Sequence, residues 1–194
     1  ADGPVQIVGR DRSALPRPIR AWFRKRTVHV DAWFDDRFKP SPLPPLRDGP
    51  LVVFYAGRIS VQKNPEVLFR IIRDAATTLP FPVEFRYFGA DYAEIEKAGL
   101  ADRVVWGGML DPPRLARAMA ECHAGILCSK AEGSPFAIVE ALACGRCFVA
   151  SPLPGLVQTY GKTPGMIFAE AIEPLPLFDP VSLKIMDFFP LPLN

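Results

Sequence analysis

From residue 51 onward, short apolar runs alternate with amphipathic stretches, the pattern of a parallel sheet with helices on its faces. LVVFYAG opens the series as a first strand. Behind it Asn64 offers an N-cap and Pro65 a first helical position, and Val67, Leu68, Ile71, Ile72 and Ala75 recur as one apolar stripe. VEFRYFG predicts a second strand and DYAEIEKAG a short helix. VVWGG predicts a third strand, after which Asp111 and Pro112 open a helix carrying Leu115 and Met119. AGILCS is a fourth strand, Ser134 and Pro135 start a helix that ends at Gly145, and CFVAS is a fifth strand. Strict alternation of the two signals predicts an α/β fold, a doubly wound parallel sheet.

The rhythm stops on both sides. Residues 40–50, PSPLPPLRDGP, hold five prolines in eleven positions, which disfavours helix and sheet and predicts a stiff linker with a domain boundary. EPLPLFDPVSLKIMDFFPLPLN, at the other end, is apolar and proline-rich without an amphipathic helix. The expected organisation is an end piece and linker over 1–50, the α/β domain over 51–165 and an irregular tail over 166–194. With 194 residues, 49% of them hydrophobic, the chain can bury one substantial core but hardly two full domains.

Charge narrows the partners. A formal net charge of +2 gives no global reason to expect nucleic acid. Locally, residues 10–26 carry seven basic side chains against one acidic, interleaved with Trp22 and Phe23. No apolar run approaches the roughly 20 residues that span a bilayer, and the start lacks a basic region followed by an apolar one. A cytoplasmic location is expected. Cys122, Cys128, Cys144 and Cys147 fall in segments that read as core, which suits reduced, buried thiols. Cys144 and Cys147 form a CxxC spacing, but with two histidines in the chain and no second pair at finger spacing, no metal site is expected. The pair reads as a helix-to-strand turn, and His29 and His123 read as structural.

In open parallel sheets ligands bind beyond the carboxyl ends of the strands, and two loops there are chemically loaded. In GRISVQKN, Gly57 permits a tight turn, Arg58 and Lys63 supply two cations, and the helix start at Asn64 and Pro65 supplies free N–H groups. Fixed cations and the positive end of a helix dipole both favour oxyanions, so the combination suits a diphosphate. The plainer reading is a loop with solvated cations. In EGSPFAIVEALACG, Ser134 is the expected cap, leaving the N–H groups around Gly133 to Phe136 available to hydroxyls or phosphate oxygens. Glu140 lies five residues past Pro135, about 7.5 Å along the axis, where a long carboxylate reaches back to the helix start. Taken singly, Glu132 reads as a surface residue and Glu140 as part of an amphipathic face.

Together the loops say more. EGSPFAIVEALACG resembles the E-x7-E motif of family-4 retaining glycosyltransferases, here Glu132 and Glu140, and GRISVQKN resembles that family's basic loop. GLADRVVWGGMLDPPRLARAMAECHAGILCS is similar to the connecting segment that passes the nucleotide base, and SPLPGLVQTYG to the loop after the glutamate helix. The resemblance covers roughly residues 51 to 161 in order and spacing. It implies the Rossmann-like C-terminal, donor-binding half of a GT-B fold, with residues 1–50 ending an acceptor domain. ADGPVQIVGRDR resembles that domain's last strand and TVHVDAWFDDRFKP the crossover.

The resemblance also implies roles. Arg58 and Lys63 would clamp the donor diphosphate, beside the turn at Gly57. Glu140 would bind the ribose hydroxyls. Glu132, with the amides of Gly133, Ser134, Phe136 and Ala137, would hold the sugar and distal phosphate. The donor is a nucleotide sugar, no metal or further cofactor is expected, and the acceptor is a glycan, a lipid or a small molecule. For Arg10 to Arg26 the choice is contact with a membrane surface, which makes the protein peripheral, or a solvated helix face. The competing function is a module that holds a nucleotide sugar or a partner without catalysis, because most of an acceptor domain is absent from the 194 residues. A dinucleotide oxidoreductase is disfavoured, since no GxGxxG follows a strand.

Overall fold

The computed structural model describes residues 5–8, 27–30, 34–46 and 49–169. Strands β1 (Val5–Val8) and β2 (Thr27–Val30) pair in parallel, with Ile7 opposite His29. ADGPVQIVGRDR thus contains the expected strand, and TVHV, expected within a crossover, is a strand as well. Arg10 to Arg26 and the tail from residue 170 lie outside the described residues.

The main sheet has six parallel strands: β3 (Leu51–Ala56), β4 (Val83–Phe88), β5 (Val104–Gly108), β6 (Ala124–Leu127), β7 (Cys147–Ala150) and β8 (Met166–Phe168). Their spatial order is β5-β4-β3-β6-β7-β8. The chain lays three strands outward, returns to the middle, and lays three more the other way, which is the doubly wound Rossmann order. The connecting helices are α1 (Pro65–Thr78), α2 (Tyr92–Lys97), α3 (Pro112–Ala120), α4 (Phe136–Ala143) and α5 (Pro154–Tyr160). Central strands β6 and β7 are buried throughout and β3 nearly so, whereas the edge strand β5 exposes Val105 and Trp106. Among the described residues no helix is long and apolar enough to cross a membrane.

Gly125, inside β6, shapes the middle of the core. A Cβ there would lie 2.5 Å from the Phe148 ring and 2.8 Å from that of Phe54. Its absence lets Phe54 pack against Phe148 and Phe88 at centroid distances of 6.3 and 6.0 Å. All four cysteines are buried and free. Burial pushes the Cys122 and Cys128 thiols up to about 12, so both behave as small apolar groups. Cys144 and Cys147 flank the turn from α4 to β7, as expected.

Four local expectations change. SPLPGLVQTYG, expected as a loop, folds as α5; only Leu156 of this helix is buried, and one inward residue leaves no periodicity to read. Met166–Phe168, assigned to the tail, is the sixth strand, too short to show alternation. Asn64 does occupy the N-cap of α1, with Pro65 first in the helix, but in a left-handed conformation (φ 55°) and without a side-chain cap bond. Ser134 does not cap α4: Pro135 remains extended in the cap position (ψ 110°), so the helix starts at Phe136. Asp111 caps α3 as expected, its Oδ1 accepting the Arg114 N–H at 2.9 Å.

The proline-rich stretch is fastened to the α/β domain. Phe38 is buried in the core, and the guanidinium of Arg146 donates to the carbonyl and hydroxyl of Ser41 and to the carbonyl of Pro42. His123 holds the next residues. Its Nδ1 accepts the Val52 N–H at 2.9 Å, which fixes a neutral ring whose Nε2–H donates to the Pro44 carbonyl at 3.2 Å. Burial holds the His123 pKa below the ordinary imidazole value. A buried neutral histidine takes up its proton less readily than the unfolded chain, so its stabilising contribution is complete above the unfolded pKa of about 6.5 and is lost as pH falls. Urea midpoints of the wild type are therefore expected to fall between about pH 7 and pH 5, with a shallower fall in His123→Gln. Parallel slopes for the two proteins would remove His123 from this role.

Candidate active site

The reversal of strand order lies between β3 and β6, which pair through Val53 and Ala124. Loops leaving their carboxyl ends diverge to opposite sides and open a crevice. The first loop starts at Gly57, whose φ of 143° is one that L side chains rarely adopt. Its N–H donates to the Phe88 carbonyl at 3.0 Å. Tyr55 and Tyr87, on adjacent strands, stack with ring centroids 5.9 Å apart. The Tyr55 hydroxyl donates to the Arg58 carbonyl at 2.6 Å, and the Tyr87 hydroxyl accepts the Asp91 N–H at 3.0 Å. Asp91 in turn accepts the Ile59 N–H at 2.9 Å. Burial raises the pKa of both tyrosines, so both remain protonated. The loop carrying Arg58 is thus held by its neighbours, and Gly89 lets it pass closely: a Cβ on Gly89 would lie 2.4 Å from the Gly57 carbonyl oxygen.

A 3-10 turn, Val61–Lys63, then meets the loop after β6. The Lys130 N–H donates to the Gln62 carbonyl at 2.9 Å, and Gln62 Nε2 donates to the Ala131 carbonyl at 2.8 Å. Lys63 Nζ stands 2.6 Å from Glu132 Oε1, which also accepts the Ser129 hydroxyl. Two loops distant in sequence are therefore tied together at three points.

Between these loops lies a cavity of about 390 Å³. Gly57, Arg58, Lys63, Phe136, Ala137 and Glu140 all line it, so most of the expected site residues converge there. Glu132, Gly133 and Ser134 do not line it. Glu132 instead lies behind Lys63, its side chain 5% exposed. Burial raises the Glu140 carboxyl above its ordinary pKa. Phe136 and Ala137 bring the first turn of α4, the positive end of its helix dipole, to the wall. Phe88, Met109, Leu110 and Leu115 form the apolar side.

The apolar side, Gly89, Asp91 and the tyrosine pair were not anticipated. The run FGAD at the end of β4 carried a usable signal, since a strand adjoining the switch point delivers its terminal loop to the crevice. Leu115 was read only as part of a core stripe. Chemically, two cations and a helix start favour oxyanions, a carboxylate accepts from hydroxyls, and an apolar wall takes a flat ring. Among the described residues no group of three or more His, Cys, Asp or Glu could hold a metal ion.

A model of the family described as glycosyl transferases group 1 matches residues 50–175. No curated protein sequence matches the chain. Among solved structures, Anabaena HepE, in complex with UDP and glucose, is 25% identical with a TM-score of 0.64, covering 87% of this chain and 50% of that one. WaaG, a glycosyltransferase involved in lipopolysaccharide biosynthesis, is 12% identical with a TM-score of 0.66, covering 94% and 51%. Sucrose-phosphate synthase from Thermosynechococcus elongatus is 21% identical with a TM-score of 0.64, covering 94% and 48%. The latter two likenesses concern the fold alone. The chain spans about half the length of each of these structures. On the family match, and with a fold like theirs, the chain belongs to the group 1 glycosyl transferases, with the Rossmann-like α/β architecture of the GT-B fold.

Proposed function

We propose that the cavity binds the nucleoside diphosphate portion of a sugar donor, and that the chain supplies the donor site of a retaining glycosyltransferase. The observation that carries this is the convergence of Arg58, Lys63, the start of α4 and Glu140 on one cavity at the switch point. Arg58 and Lys63 would neutralise the charge that develops on the diphosphate as the sugar departs, the work a metal ion does elsewhere. Glu140 would accept from ribose hydroxyls, and the apolar side would take the base. The complex of HepE with UDP and glucose supports a nucleotide-sugar donor. The retaining course rests on the resemblance of the two glutamates and the basic loop to family-4 enzymes. The acceptor would be a glycan, a lipid or a small molecule; for a lipid, Arg10 to Arg26 would supply contact with an anionic surface.

Titration calorimetry with UDP, GDP and ADP tests the site. One of the three is expected to bind, with affinity that weakens as salt is added because the cavity is open to solvent. Failure of all three to bind would remove the donor-site proposal. Transfer also requires an acceptor held against the reacting carbon of the sugar. Product formation from the corresponding nucleotide sugar therefore separates a transferase from a module that only binds.

A further inference from the structure

Within the donor site proposed above, and resting on that reading, we infer that Asp91 is a positioning residue for Arg58. With the Tyr55 hydroxyl it locks the peptide group between Arg58 and Ile59, and so holds the arginine toward the diphosphate. Both polar atoms of that peptide are bonded by side chains: the Arg58 carbonyl accepts the Tyr55 hydroxyl at 2.6 Å, and the Ile59 N–H donates to Asp91 Oδ2 at 2.9 Å. A peptide group is planar, so fixing its two ends fixes ψ of Arg58 and with it the origin of the arginine side chain. Asp91 is itself held, its N–H donating to the Tyr87 hydroxyl at 3.0 Å, and Tyr87 stacks on Tyr55. The lock is therefore a closed ring running through β3, β4 and the two loops that leave them.

The use made of the carboxylate points the same way. Asp91 stands at the N-cap of α2, where an aspartate ordinarily accepts an N–H from the first turn of its own helix. Asp111 does so at the start of α3, but the Asp91 side chain makes no cap bond and crosses to the Arg58 loop instead. Asp91 and Arg58 line the same cavity. A carboxylate there opposes an incoming anion, so charge alone predicts that its removal tightens binding of a nucleoside diphosphate. Loss of the lock predicts the reverse.

The test compares wild type, Asp91→Ala and Asp91→Asn, each also in an Arg58→Met background, with whichever of UDP, GDP and ADP the wild type binds. Calorimetry measures the tight complexes, phosphorus NMR titration the weak ones, and melting curves establish folding. Asp91→Ala is expected to bind about tenfold more weakly, the effect of one hydrogen bond to a charged group. Asp91→Asn keeps an oxygen for the Ile59 N–H without the charge, and is expected to bind at least as tightly as wild type. In the Arg58→Met background the alanine effect is expected to vanish, which a general loss of stability would not produce. Tyr55→Phe, which removes the other bond to the same peptide, is expected to give a similar Arg58-dependent loss and decides the matter if Asp91→Ala does not fold. Unchanged or tighter binding by the alanine variant, an equal loss in the asparagine variant, or an equal loss without Arg58 would each overturn the inference. Wild type that binds none of the three nucleotides instead removes the donor-site proposal itself, a result distinct from these.

Discussion

Arg146→Met is expected to lower the melting temperature by roughly 6–12 °C, since about 3 kcal/mol is lost and each kcal/mol moves a chain of this size by about 2–4 °C. Arg146 is 1% exposed. Its Nε donates to the Cys144 carbonyl at 3.0 Å, one terminal nitrogen donates to the Cys122 carbonyl at 3.3 Å, and the other reaches Ser41 and the Pro42 carbonyl. Burial lowers its pKa, yet a guanidinium starts so high that it stays charged. Among the described residues no carboxylate pairs with it; carbonyl dipoles and a hydroxyl carry the charge instead. Methionine has a similar reach but no donors, so the carbonyls of Cys122, Ser41 and Pro42 lose that partner, while Cys144 keeps the Ser41 N–H at 3.3 Å. Lysine would not rescue, because one ammonium cannot fork toward all four residues. Scanning fluorimetry measures the change. A shift under about 2 °C would mean that the clamp on the proline-rich stretch contributes little.

Lys63→Ala should weaken binding of the nucleoside diphosphate roughly 10- to 150-fold, corresponding to about 1.5–3 kcal/mol for a hydrogen bond to a charged group. Two effects add. The ammonium that faces the cavity is lost, and the largely buried Glu132 carboxylate loses its lysine partner next to the phosphates. A result near the upper end is therefore expected. Calorimetry at one fixed salt concentration, with a melting curve to establish folding, is the measurement. An affinity equal to that of wild type would make Lys63 a solvated surface cation.

The elements that were legible in the sequence are those whose cause is local. LVVFYAG is buried on both faces as β3, and its apolar run says so directly. Asp111 followed by Pro112 marks the start of α3 because cap and first turn lie within three residues of each other. Where the cause is distant, the reading failed or stopped. Nothing near Ser134 reveals that Pro135 stays extended, a matter of how the loop after β6 meets its surroundings. Tyr55, Tyr87 and Asp91 act together only because β3 and β4 are neighbours. The basic loop and the second glutamate were recognisable as site material, yet the direction in which Glu132 points follows from Lys63 arriving across the crevice. Met166–Phe168 has meaning as a strand only once β7 offers it an edge.

The placement of the crevice also bears on how the chain comes to be folded. As the polypeptide grows, β3 can pair with β4 and then β5 as soon as these are made, but its other edge waits for β6. Until Ala124 reaches Val53, β3, a strand buried along nearly its whole length in the native sheet, presents an open row of backbone donors and acceptors. Such an edge is a template for pairing with other chains, and non-local parallel pairing is slow to form. The strand reversal that opens the crevice in the native protein thus also leaves a seam that cannot close until β6 has been made, and the nascent chain carries an open β3 edge until it does.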